Sequence, residues 1–251
     1  MNKTTILLQV RNLLELHKRG HLGGEKMPED ENPVLSRNSE QNLLYFTLPM
    51  ALNYQRDSYK LWENANKTFQ DTDTAFVFNP KLVLESNDEN LRRALLKYKV
   101  ALQPNKHIEI WKTICSTFHK QNIKDFFTAH NYDIAEIKNY IQKNKKDFPY
   151  LSGPKILNYW LYVITQYTDM KLTGREHITI APDTHVIQSS IELRLIDQSE
   201  ITRADIRDYV ANKWHDLLKN TGILPIDVHT SLWLWSRGGF KIQIPQNSQR
   251  D

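Results

Sequence analysis

Apolar residues recur at three- and four-residue spacing along most of the chain, a period that predicts helices rather than strands. The first predicted helix runs from Ile6 to His17 and ends near Gly20. Ser39 is placed to cap a second one through Phe46, broken at Pro49, and the next begins near Asp57 and reaches about Phe69. Asn87 or Asp88 caps a helix carrying Leu91, Leu95 and Leu96; after Pro104 another carries Ile108, Trp111, Ile114 and Phe118, followed by a shorter one over Lys124 to His130. Ile134, Ile137, Tyr140 and Ile141 mark an amphipathic helix from about Asp133 to Lys145, stopped by Phe148-Pro149. Ile156, Trp160, Val163, Ile164 and Tyr167 form the apolar face of the next. Beyond Asp183 the pattern predicts a helix with Val186, Ile191 and Leu195, another from Arg203 to Lys219, and an aromatic segment over Asp227 to Phe240. Gly23 to Asn38 reads as a polar, flexible connection, and the AFVF and LVL fragments between Asp71 and Glu85 suggest an extended excursion without fixing an assignment. The expected fold class is all-α, with about ten helices.

Composition narrows this picture only a little. A chain of 251 residues forms one large domain or two small ones and is long enough to bury a substantial core. The net charge of +4 suits a polyanionic partner without singling one out. Cys115 is the one cysteine, which excludes disulfides within the chain and any cluster of cysteines holding zinc or iron-sulfur. No window of about 18 apolar residues occurs, and Met1 to Leu16 alternates polar and apolar residues too early for a signal peptide, so a cytoplasmic protein that meets no membrane is expected.

The chemistry concentrates between Phe148 and Val186. Gly153 is expected to take a backbone conformation closed to other residues, and Pro154 suits the first position of a new helix, where its missing N–H costs nothing. The result is helix, short hairpin, helix, with Lys155 in the first turn of the second helix. Backbone amides and the positive end of the dipole make that turn a seat for a phosphate oxygen. A cation is disfavoured there, and a neutral amine is a nucleophile.

These residues resemble the helix-hairpin-helix DNA glycosylases, the superfamily of endonuclease III and the 8-oxoguanine DNA glycosylases. Pro149 to Lys155 reads PYLSGPK against the family hairpin L-P-G-x-G-x-K: Gly153 and Lys155 match, Leu151 replaces the first glycine, and Pro149 stands one position early. Asp183-Thr184-His185-Val186 is similar to the family's V-D-T-H-V segment, with Asp183 on the catalytic aspartate. The 28 positions from Lys155 to Asp183 exceed the spacing of endonuclease III and are more like the archaeal 8-oxoguanine glycosylases, with an insertion around Met170 to Thr179. Upstream, Leu52 to Asp57 resembles L-L-S-x-Q-x-x-D, which puts Gln55 where the family enters the duplex or touches the extruded base.

The resemblance implies a two-lobed fold with the active site in the cleft between lobes: a central lobe over residues 38–167 and a second built from 1–37 and 168–251. It implies a bifunctional glycosylase and AP lyase that flips a damaged base, with oxidised purine preferred. Lys155 would attack the sugar and Asp183 would handle the proton and the developing positive charge. Gln55, Ser152, Gly153, Lys145, Lys146 and His185 are the candidate DNA contacts. Pro182, Asp227, His229 and Trp233 are the candidate base pocket, with Trp235 beside them; His229 stands where the archaeal pattern has Asp. The partner is double-stranded DNA carrying a damaged base, the state is monomeric, and the location is nucleoid-associated. No cofactor is implied, and a monovalent cation at the hairpin is left open.

Duller roles exist for most of these residues. Asp183 is a natural N-cap, both tryptophans suit a core, and Lys138, Lys143, Lys145 and Lys146 suit a solvated helix face. His17 and His21 have ligand-like spacing but no third ligand. Two other functions stay open: a non-catalytic helix-hairpin-helix module gripping DNA, and a glycosidase acting on a modified base outside duplex DNA.

Overall fold

A computed structural model describes residues 2–22 and 27–245. Twelve α-helices joined by 3-10 turns make up the described residues, in which no β-strand occurs; two residues, Asp133 and Thr173, form an isolated bridge. In chain order they are α1 (Lys3–Lys18), α2 (Glu40–Thr47), α3 (Ser58–Gln70), α4 (Pro80–Glu85), α5 (Asp88–Lys97), α6 (Lys106–Lys120), α7 (Ile123–Ala129), α8 (Ile134–Lys143), α9 (Pro154–Tyr167), α10 (Thr184–Glu192), α11 (Ile206–Leu218) and α12 (Pro225–Arg237). No described helix is long and apolar enough to cross a membrane.

Short polar side chains start many of these helices. Ser39, Asp57, Asn87, Asp133 and Asp183 each accept a hydrogen bond from a first-turn amide, the contact that makes such residues good N-caps. The region expected to be extended is helical instead: Ala75–Phe78 is a 3-10 turn and LVL lies inside α4, where Asn79 caps and Pro80 opens the helix. The aromatic segment near the end is also helical, α12. The helix after Asp183 stops at Glu192, and Leu193 and Ile196 supply the burial expected of Leu195.

The chain divides into two compact units, one of Lys26–His177 and one of Met1–Glu25 with Ile178–Asp251. The sequence reading began the central lobe at 38 and ended it at 167; the observed unit extends further each way because its flanks are tied to α9. Arg37 donates to the main-chain oxygens of Gln166 (2.7 Å) and Thr168 (3.1 Å). Tyr159 donates to Glu29 Oε2 at 3.0 Å, and Tyr167 donates to Asp30 Oδ1 at 2.9 Å. Residues 23–26 of the expected flexible connection lie outside the described residues. The rest of it is not a solvated loop: Pro28–Asp30 is a 3-10 turn with Pro28 and Glu29 buried.

In the larger unit, the core forms around α9 and a run of rings on α2 and α3. Trp160 is fully buried, stacks on Phe127 at 5.8 Å and donates from its indole to Thr47 Oγ1 at 2.9 Å. Truncating a tryptophan so placed costs about 3–5 kcal/mol. Tyr45 lies within 6 Å of Phe46, Phe69, Phe78 and Trp62, mostly tilted or edge-on, arrangements that ring quadrupoles favour.

The insertion expected around Met170 to Thr179 is anchored on α8. Thr173 donates from its amide to Tyr132 O (2.9 Å), and Ile134 donates to Thr173 O (3.1 Å). Gly174 then turns the chain with φ +71°, and a Cβ built there would stand 3.2 Å from His177 Cδ2 and 3.3 Å from Asp133 Oδ2. Gly174→Ala is therefore expected to cost about 1–2 kcal/mol. Differential scanning calorimetry checks this as a fall of several degrees in the melting of that unit.

In the smaller unit, α10, α11, α12 and α1 pack together. Ser189 donates to Leu232 O (2.7 Å), Trp214 donates to Ser190 Oγ (2.8 Å), and Ser231 Oγ pairs with His17 Nδ1 (2.9 Å).

Candidate active site

The hairpin is a compact turn closed by its own backbone. Ser152 N–H donates to Phe148 O (2.9 Å), Gly153 N–H to Tyr150 O (2.9 Å), and Leu151 N–H to Pro149 O (2.7 Å). Gln142 on α8 also reaches over to donate to Ser152 O at 2.6 Å, holding the turn against the preceding helix. Leu151 is fully buried, so its side chain packs into the core beneath the hairpin.

The special backbone conformation falls on a different residue from the one expected. Gly153 is extended, with φ −63° and ψ 135°, and the left-handed residue is Tyr150, φ +60°. What favours glycine at 153 is a close approach: a Cβ there would lie 3.1 Å from Tyr150 O. As the N-cap of α9, Gly153 has no side chain to satisfy the first-turn amides, and Pro154 has no N–H. The amides of Lys155 and Ile156 are thus presented at the positive end of the helix dipole.

Lys155 itself is exposed in that first turn, as are Lys145 and Lys146 after the end of α8, while Ser152 is half-buried. Lys138, read as one of a solvated basic run, instead turns inward. Its ammonium donates to Asn158 Oδ1 (2.9 Å) and His177 O (2.5 Å), and burial lowers its pKa. It braces α8 to α9.

Gln55 is exposed and left-handed, φ +50°, in the loop before α3. Arg56 pins this loop, donating from Nη1 to Val100 O (2.6 Å) and from Nη2 to Lys99 O (3.0 Å). The loop and the hairpin meet: the rings of Tyr54 and Tyr150 lie 5.3 Å apart. Gln55, Ser152, Gly153 and Lys155 therefore belong to one neighbourhood of the larger unit.

The other predicted residues lie in the smaller unit. Half-buried Asp183 caps α10, accepting from Val186 N at 3.0 Å through Oδ1. Pro182 before it is buried. His185 Nδ1 lies 3.1 Å from Ser236 Oγ, whose own proton goes to Gln188 Oε1 at 2.9 Å. Ser236 is left to accept, which sets His185 with its proton on Nδ1. The His185 ring stands edge-on to Trp233 at 5.3 Å, and the Arg237 guanidinium lies over the same indole at 5.1 Å.

The same sequence matches no family model and no curated protein.

Of the pocket candidates, Trp233 is half-buried beside His185, and buried His229 sits one turn before it on α12. Asp227 accepts from Leu224 N at 3.3 Å and so closes the first turn of α12. Trp235 is core, 6% exposed, its indole donating to Ile242 O at 2.8 Å. An open cleft of about 380 Å³ lined by Asp88, Arg92, Glu109 and Lys112, among others, contains none of the predicted site residues. Among the described residues, no three His, Cys, Asp or Glu side chains are grouped to hold a metal ion.

Sequence reasoning missed two features. One is Tyr54 with Tyr150 beside the hairpin. The other is Glu29, 1% exposed, with the Tyr159 hydroxyl on one carboxyl oxygen and the Trp62 indole alongside. Burial first, then the neighbouring Asp30 charge, pushes its pKa up to about 7 against the opposing hydrogen bonds.

Proposed function

We propose that this chain is a bifunctional DNA N-glycosylase and AP lyase of the helix-hairpin-helix type, acting on a damaged base in double-stranded DNA, with oxidised purines such as 8-oxoguanine preferred. The observation that carries the reading is the exposed Lys155 in the uncapped first turn of α9, directly behind a hairpin closed by its own backbone hydrogen bonds. Asp183 supports it as a half-buried carboxylate held by its helix cap, with the second carboxylate oxygen not engaged in that bond.

In this reading the two units are the lobes of a glycosylase fold, and the damaged base is extruded from the duplex before excision. Lys155 Nζ bonds to C1′, the glycosidic bond breaks, and the base departs with a proton that Asp183 helps to deliver. The sugar ring opens to a protonated imine. Loss of a C2′ proton expels the 3′ phosphate and nicks the strand, and water then releases the lysine. Gln55 fills the space the base leaves.

The test is borohydride trapping on duplexes carrying an abasic site, 8-oxoguanine, thymine glycol or uracil. Hydride reduces the C=N bond and fixes the chain to the sugar. Wild type is expected to trap and Lys155→Gln to give no adduct, with folding intact because the side chain is exposed. The lesion that traps identifies the substrate. Absence of any adduct on every duplex, with the abasic site left uncut, overturns the reading.

A further inference from the structure

Beside the hairpin, the structure places two tyrosines that the chemistry above does not use. Tyr54 is 52% exposed, although an aromatic ring of that size is commonly covered. Its ring meets that of Tyr150 at 5.3 Å with an interplanar angle of 42°, and Lys106 Nζ stands 5.0 Å above the Tyr150 ring. Each member comes from a different element: the loop before α3, the hairpin, and the first turn of α6. The 3-10 turn Met50–Leu52 gathers them, since α6 and α9 both pack against it.

Two features make this more than a surface accident. The backbone at both tyrosines is fixed, and their rings pack on each other. Tyr150 is left-handed within the bonded hairpin, and Tyr54 precedes the left-handed Gln55 in the loop pinned by Arg56. The surrounding charge is also mainly positive: Lys99, Lys106 and Lys155 are exposed, while the nearest loop acid, Asp57, is turned to cap α3. An exposed aromatic face with a cation beside it is the combination that binds a nucleobase by stacking and its phosphate by charge.

We propose that Tyr54 and Tyr150, with Lys106 over the Tyr150 ring, form a stacking platform for an unstacked nucleobase of the bound nucleic acid, the base resting on the exposed Tyr54 ring. The platform deepens the glycosylase reading by naming what holds a base beside the gap, and it rests on that reading only for the identity of the nucleic acid. Stacking does not depend on which base is presented, so the platform favours single-stranded DNA and duplexes interrupted by an abasic site over continuous duplex.

Fluorescence anisotropy with three oligonucleotides tests this: a single strand, a duplex with an abasic site, and the same duplex intact. Tyr54→Ala is expected to weaken binding to the first two by about five-fold or more, and the intact duplex by less. Tyr54→Phe keeps the ring and is expected to bind as wild type. Lys106→Gln is expected to weaken all three and to reduce the slope of log affinity against log salt by about one. Tyr150→Asn, which tolerates the left-handed backbone, repeats the ring deletion without disturbing the turn. Equal affinity of Tyr54→Ala and wild type for all three, in a protein that still traps on borohydride, overturns the platform and leaves the glycosylase intact. Tyr54-sensitive binding to single strands in a protein that traps on no lesion supports the platform and removes the glycosylase.

Discussion

If the proposed glycosylase chemistry holds, Asp183→Asn is expected to slow base excision by about 10²–10⁴-fold while unfolding of its unit stays within about 0.5 kcal/mol of wild type. The two effects separate because asparagine caps a helix about as well as aspartate. The 3.0 Å bond from Val186 N survives the substitution, and only the ability to carry negative charge and move a proton is lost. Asp183→Ala removes both and costs about 1 kcal/mol of stability in addition. Single-turnover excision beside urea unfolding measures the pair. Full excision by the asparagine variant would reduce Asp183 to a cap.

Glu29→Gln is expected to change stability strongly and with pH, and its sign reverses the usual one for a carboxylate. The native chain holds the Glu29 proton up to about pH 7, whereas the unfolded chain releases it near 4.5. Between those values the native state binds the additional proton, so the contribution of the protonated group is full below about pH 4.5 and is lost as pH rises through 7. The loss amounts to about 3 kcal/mol. The groups facing Glu29 are the Tyr159 hydroxyl, the Trp62 indole and Asp30, none of them a cation able to offset the buried charge. Glutamine has no such titration. Urea unfolding from pH 4.5 to 8.5 is expected to show Glu29→Gln gaining on wild type by that amount as pH rises; parallel curves would place the Glu29 proton elsewhere.

Where local signals decided local structure, the sequence was legible. Apolar periodicity with an Asp or Ser ahead of it located α2, α3 and α8 within a few residues, and periodicity behind Gly153-Pro154 located α9, because such signals act over one or two turns. The failure at 71–85 arose because short apolar runs such as AFVF suit a buried strand and a helical turn equally well. Asn79-Pro80, a cap followed by a helix-opening proline, was the signal that resolves it. Glu29 was beyond local reasoning: nothing in PEDEN marks one acid of three as buried, since its partner Tyr159 is 130 residues away. The hairpin motif located Lys155 but misassigned the strained residue, as a glycine can be required by a neighbouring carbonyl as well as by its own torsion angles. Lys138 was misjudged for a similar reason. Its acceptors, Asn158 and His177, come from later helices that a charge pattern on α8 does not reveal.

The two bonds from Arg56 to the carbonyls of Lys99 and Val100 bear on how quickly and how firmly a ligand is held. A loop that must find its shape on arrival surrenders freedom at that moment, and the cost is subtracted from affinity. Here that freedom is already gone, because Gln55 and Tyr54 are locked before any ligand arrives, with the left-handed turn at Gln55 included in the free energy of folding. On the proposed platform, a guanidinium outside the stacking surface would thereby contribute to how long a base stays there.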